Sequence, residues 1–242
     1  SIKLLVFVLN DFSQAFSKAI QLIFQLDPAL LEIIGLSLRV SITAVLIASL
    51  IGLPLGAALA LYKFYGRGII VALLNAFMGL PPVVVGLVVY LILSRSGPLG
   101  VLGLLFTPTA MIIAQVCLIT PIIAALTRQT ILDANVEYHE QLRALGAKAS
   151  RMMKTLLWET RFSLMTGVFA GFGRAIAEVG AVLIVGGNIN HATRVMTTAI
   201  ALETRKGDIE LALALGIILI TISLIVTSLV MSAKHAAYQY HS

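Results

Sequence analysis

Four stretches of this sequence are apolar and free of charge over lengths that a water-soluble domain of this size does not tolerate. Residues 42–61, 69–94, 107–127 and 211–231 contain no Asp, Glu, Lys or Arg. As helices, runs of about 20 residues cross the ~30 Å hydrocarbon core of a bilayer. With no water to bond to, a backbone in that layer must satisfy its own N–H and C=O groups, and a helix does so within one segment. Charged residues make up only 12% of the chain against 59% hydrophobic, whereas soluble domains carry about a quarter charged. The expected fold is therefore all-α, a polytopic membrane helical bundle with about five transmembrane helices. Their expected limits are residues 36–62, 69–94, 107–127, 162–187 and 209–231.

The segments between them set the topology. Residues 1–34 place Phe12, Phe16, Ile20, Ile23 and Phe24 at helical spacing among polar residues, which predicts an external amphipathic arm at the interface. Asp27-Pro28 ends that arm and starts a new helix, leaving residues 35–242 as the membrane domain. Residues 1–10 lack the length and small-residue cleavage site of a signal peptide. The net charge of +6 is read as topology rather than nucleic-acid binding, because Lys and Arg gather in the predicted inner loops. That puts 63–68 and 128–161 inside, 95–103 and 186–208 outside, the N-terminus out and the C-terminus in. The single cysteine, Cys117, excludes an intrachain disulfide and reads as a small buried hydrophobe.

Two spans carry features a plain membrane anchor does not need. Pro81-Pro82 removes two backbone donors and restricts Leu80, so that span bends or breaks in mid-membrane. The break either serves packing or lines a path. In the fourth span, Arg174 and Glu178 stand four apart on a face with Gly167, Gly171 and Ala181. Intramembrane charges mark pathways, and an ion pair can equally lock two helices or two subunits.

The longest polar interval, residues 128–161, predicts a helix over 137–148, a turn at Gly146, and a second helix over 149–157. Leu142, Leu145 and Met152 or Met153 would form an apolar ridge fitted to a partner's groove, with Glu140 and Arg143 at its rim. The alternative is an amphipathic loop resting on lipid headgroups. No Gly-Lys pair, His-x-x-x-His or Gly-x-Ser-x-Gly occurs, so the chain offers no phosphate loop, zinc site or nucleophile elbow. Any ATP-driven work needs another chain.

Within that interval, EQLRALGA (Glu140 to Ala147) resembles the EAA loop of ABC-importer permeases. Gln141 and Leu142 replace its alanines, and Glu159 stands where many members have proline. Together with SLRVSITAVLIASLIGLPLGAALAL, GLPPVVVGL, GRAIAEVGAVLIVGGNI and TRVMTTAIALETRKGD, the chain from about Gly35 onward resembles the membrane subunit of oxyanion importers of the molybdate, sulfate and tungstate class, nearest the tungstate-uptake permeases. The resemblance implies a type I ABC-importer permease fold and a homodimer in the cytoplasmic (inner) membrane. It implies cytoplasmic ATPase subunits that hold the ATP and Mg, no cofactor on this chain, and a periplasmic or lipid-anchored oxyanion-binding protein. Glu137, Glu140, Arg143, Ala144, Leu145, Gly146 and Ala147 would couple to the ATPase. Pro81, Pro82, Gly171, Arg174 and Glu178 would line or gate the pathway, while Gly97, Pro98, Asn188 and Arg194 would meet the binding protein. A secondary transporter or channel, and a membrane scaffold, are the other classes these features admit.

Overall fold

The computed structural model describes residues 16–18, 20–21, 28–144, 146 and 148–239, and among them every regular element is helical. In chain order the α-helices are α1 (Pro28–Leu61), α2 (Arg67–Met78), α3 (Pro82–Leu93), α4 (Pro108–Ala144), α5 (Ala149–Glu159), α6 (Arg161–Ile176), α7 (Gly180–Gly186), α8 (Met196–Lys206) and α9 (Ile209–Gln239). Three of them contain stretches long and apolar enough to cross a membrane alone: Pro28–Leu61, Pro108–Tyr138 and Ile209–Leu229. The pairs α2/α3 and α6/α7 are bent by 106° and 56° at short breaks, and counting each pair as one span gives five.

The bundle is assembled on α4. Along α1, Val40, Ala44, Ala48, Gly52, Gly56 and Ala60 recur every fourth residue and are all buried. Small side chains on one stripe let two helices approach closely, the usual basis of helix pairing in lipid. At Gly52 a Cβ would come 3.0 Å from Ile123 Cγ2, and at Gly56 it would overlap the Ala124 carbonyl oxygen. On the other side α6 meets α4 through Gly171 and Gly167, whose Cβ atoms would stand 2.8 Å from Ile119 and 3.3 Å from Leu126. The apolar core follows α4 along its length. Ala110, Met111, Ala114 and Leu118 pack with α3 and α7, Ile119 and Ile123 with α1 and α6, and Ile131 and Ala134 with α1 and α5. Large apolar side chains face outward along α1, α2, α3 and α9, among them Leu50, Ile69, Leu91 and Leu224. In water such a surface would aggregate; in a bilayer it meets lipid.

Several elements differ from the sequence-based expectation. The helix expected over 137–148 is not separate: α4 runs unbroken from Pro108 to Ala144. Passing from lipid to water changes the side chains a helix prefers, but it breaks no backbone hydrogen bond. Met152 is 7% exposed and packs with Met153 on Ala57, Ile131 and Leu156. These methionines hold α5 to the bundle instead of forming a ridge for a partner. A helix starts at Pro28 as expected, and residues 28–34 run without a break into the first span as the first turns of α1. The fourth span is two helices, not one. Cys117, expected to be buried, is exposed on α4, in an open apolar groove of about 600 Å³ with Leu55, Phe77 and Val88. Most of the predicted arm lies outside the described residues.

Candidate functional site

The break between α6 and α7 gathers polar groups from four segments inside the apolar bundle. Glu178 lies in the break, 3% exposed. Its Oε2 accepts a hydrogen bond from Arg174 Nη1 at 2.6 Å, and its Oε1 accepts from the Ala181 N–H at 3.0 Å. One carboxylate thus neutralises the guanidinium and caps the first turn of α7, where a negative charge is favoured. Arg174 is a third exposed on its side chain. Thr197, in the first turn of α8, donates to the Glu178 carbonyl at 2.8 Å. Gln115 of α4 donates through Nε2 to the Ala175 carbonyl at 3.1 Å, where α6 ends. Ser37 of α1 donates to Ile33 O and accepts the Met196 N–H at 2.8 Å, satisfying the start of α8.

Ser37, Ser41, Gln115, Glu178 and Thr197 border a cavity of about 10 Å³, the room that one water molecule needs. A tetrahedral oxyanion does not fit. In this conformation the cluster is a closed polar joint between helices. Gln115 Oε1 is buried there without a hydrogen-bond partner, and Ala175 O also accepts from the Glu178 N–H. Gln115→Met is therefore expected to stay within about 1 kcal/mol of wild type, since it removes an orphaned acceptor and strands no carbonyl. Thermal unfolding of the purified variant checks this.

The second broken span meets the first at this level. Pro81 caps α3 in an extended conformation, and Pro82 takes its first position, where the missing N–H costs nothing. A Cβ on Gly180 would stand 3.0 Å from Val83 Cγ2, and one on Gly86 would stand 2.7 Å from the Ala181 backbone. Two glycines thus let the half-helices α3 and α7 lie side by side, with Pro82–Val83 beside the Glu178 break. Of the residues expected on a pathway, Arg174 and Glu178 pair here, and Pro82 is followed by Val83, which faces Gly180. Gly171 does not join them, because its open side is taken by Ile119 and Ile123. The sequence reading missed Gln115, Ser37 and Thr197; uncharged polar residues in apolar helices were the available signal.

At the C-terminal end of α4, Gly146 has φ +68° between α4 and α5, a left-handed conformation that suits glycine. Glu137, Glu140 and Ala144 are exposed on the last turns of α4. Glu137 lines a cleft of about 460 Å³ with Asp133 and Glu159. Arg143 belongs to α4, while Leu145 and Ala147 lie outside the described residues.

Before the start of α4, at the end away from the hairpin, Gly97 sits in a tight turn where a Cβ would overlap the Leu91 carbonyl, and Pro98 follows it. That loop leads through Phe106, whose N–H donates to Val185 O at 2.9 Å, to the loop after α7. There Asn188 and His191 have positive φ. Ile189 O accepts the Thr193 and Arg194 N–H groups, each at 3.0 Å, and Thr193 Oγ1 donates to Gly186 O. Arg194 Nη1 reaches Asn190 Oδ1 at 3.0 Å. His191 Nδ1 lies 2.7 Å from Glu32 Oε2 at the start of α1. The Phe106 contacts thus tie the segment that follows Gly97 and Pro98 to the end of α7, just before Asn188.

Membrane-length helices, two bent helix pairs, one of them broken around a polar joint, and a helical hairpin at one end are the features of a membrane permease. Comparison with known proteins narrows this. Residues 52–232 match the family described as binding-protein-dependent transport system inner membrane component, and the chain belongs to that family. It is 42% identical over 205 residues to a probable anion ABC transporter permease protein of Haloferax volcanii, covering 83% of this chain and 88% of that one. It is 40% identical over 222 residues to the tungstate uptake system permease protein TupB of Peptoclostridium acidaminophilum, covering 92% and 97%. Identity to the sulfate transport system permease protein CysW of Escherichia coli is 31% over 199 residues, covering 78% and 68%. The chain is an ABC transporter permease component and a multi-pass inner-membrane protein.

Proposed function

We propose that this chain is the membrane subunit of a tungstate importer, working as a homodimer with two copies of a separate ATPase and an external oxyanion-binding protein. The observation that carries the reading is the 40% identity to a tungstate uptake permease over 97% of that protein's length. In this reading the hairpin around Gly146 faces the cytoplasm and docks in the ATPase. Glu137, Glu140, Arg143, Ala144, Leu145 and Ala147 surround that contact, and ATP and Mg stay on the partner. Nucleotide-driven approach of the two hairpins rocks the bundles between inward-open and outward-open states. The joint at Pro81, Pro82, Arg174 and Glu178 is where the broken spans would part. The surface of Gly97, Pro98, Asn188 and Arg194 receives the loaded binding protein. The N-terminus lies outside and the C-terminus inside.

The test is reconstitution in liposomes with the ATPase and the binding protein, counting tungstate inside by mass spectrometry. Uptake should require ATP and all three components. Tungstate movement by the permease alone would overturn the reading in favour of a secondary carrier. Preferred uptake of molybdate or sulfate in competition would move the substrate within the oxyanion class. Within this assay, Gly146→Val should lower uptake about tenfold at equal membrane insertion, because a β-branched residue resists positive φ by ~1–2 kcal/mol. Gly146→Asn, which tolerates that region, should stay near wild type. Equal uptake by both variants would remove the hairpin turn from the coupling path.

A further inference from the structure

The α1–α2 turn forms a cationic pocket that none of the roles above uses. Lys63, Phe64, Arg67, Gly68, Val71 and Arg128 line an open cavity of about 300 Å³, and no carboxylate is among them. Each cation is held there for an identifiable reason. Arg67 turns back on α1, its Nε donating to Leu59 O at 2.7 Å and its Nη2 to Ala60 O at 3.2 Å, so it caps the open carbonyls of that helix. Arg128 is brought alongside by the Gly56 contact, where a Cβ would lie 3.0 Å from the Arg128 N–H nitrogen. Its Nε is buried without a hydrogen-bond partner. Lys63 is exposed at the rim.

The backbone adds to the same field. Gly66 precedes α2 at φ +86°, and no side chain caps the helix start. The Arg67 N–H is taken by Phe64 O, and the start of α2 at Gly68 lines the cavity with the positive end of the helix. Exposed Tyr62, Phe64 and Tyr65 flank the turn, as aromatic residues do at headgroup depth. Three cations and a helix N-terminus border one open space.

We propose that this pocket binds a tetrahedral oxyanion of the phosphate type, supplied either as the headgroup of an anionic phospholipid or as a free ion. Basic pockets between membrane helices are suited to phosphate headgroups. The Arg128 guanidinium lines this space and carries several N–H donors suited to an oxyanion. Bound there, the anion would tie the α1–α2 turn to α4 in the stretch leading to the hairpin.

The full-length chain in nanodiscs tests this, with phosphatidylcholine alone or mixed with phosphatidylglycerol, read by native mass spectrometry and by retention of labelled inorganic phosphate. The variant is K63Q/R128Q, which spares Arg67 because that residue caps α1. Each lost cation should weaken binding roughly fivefold, and the double variant about 25-fold. Phosphatidylglycerol retained by wild type, lost in the variant and not displaced by phosphate identifies the lipid as the source. Labelled phosphate retained in pure phosphatidylcholine, and lost in the variant, identifies the free ion. Equal phosphatidylglycerol retention by both proteins, with no phosphate bound to either, overturns the proposal. Should the double variant fold poorly, Arg128→Gln beside Arg128→Lys gives the same reading, since only the first removes the charge.

Discussion

Arg174→Leu is expected to destabilise the folded permease by about 3 kcal/mol, and Glu178→Gln by only about 1 kcal/mol. The asymmetry comes from burial. Glu178 is 3% exposed, whereas the Arg174 side chain is 33% exposed. Removing the arginine strands a carboxylate in an apolar bundle with the Ala181 N–H as its remaining side-chain contact. Removing the carboxylate charge leaves an amide whose single oxygen can still accept from the Ala181 N–H, while its NH2 group takes the place of the oxygen that met Arg174; the guanidinium, a third exposed, can extend toward the interface. The double variant should therefore be more stable than Arg174→Leu alone. Thermal unfolding in nanodiscs measures all three. Equal losses for the two single variants would show that the buried carboxylate does not control the joint. Uptake by the double variant then separates the two roles open for this pair. Wild-type transport in a folded double variant makes it a lock, and lost transport makes it part of the gate.

How far the sequence exposed this arrangement depended on the kind of signal. Membrane helices were legible because a bilayer excludes charge over a fixed thickness, and residues 42–61 or 107–127 meet that requirement without any tertiary information. The break at Pro81-Pro82 was legible because proline removes backbone donors wherever it stands. Gly146 was legible because polar residues flank it on both sides and the chain must turn back. The break at Glu178 was not. Ala175, Ile176 and Ala177 before it are compatible with a helix, and the interruption is held by Gln115 and Thr197, both distant in sequence. Met152 and Gly171 misled for a related reason. Each lies on a face whose partner is another helix of the same chain, and one helix's periodicity does not say which neighbour it will meet. Cys117 shows the converse: an apolar run marks burial in membrane or protein, and the two look alike in sequence.

Gly56→Leu should abolish the folded protein, with little or no monodisperse material after detergent extraction. A Cβ at that position would overlap the Ala124 carbonyl oxygen and stand 2.7 Å from Thr127 Cβ. Carbonyl oxygen and Cβ both belong to α4 and cannot rotate away, so α1 must move as a body. Overpacking in a relaxing core costs about 1–3 kcal/mol; here the displaced unit is a helix that also carries the Ser37 contact to α8 and the carbonyls capped by Arg67. Moving it opens three contacts at once. Gly216→Ala in α9 is the matched control. A Cβ there meets nothing within 4 Å, so alanine should be neutral or stabilising by about 0.5–1 kcal/mol through its better helix propensity. Size-exclusion profiles and melting temperatures of the two variants decide the matter. A well-folded Gly56→Leu protein would mean that α1 and α4 do not pack at this distance in the membrane, and the register that places Arg128 beside Arg67 would fall with it.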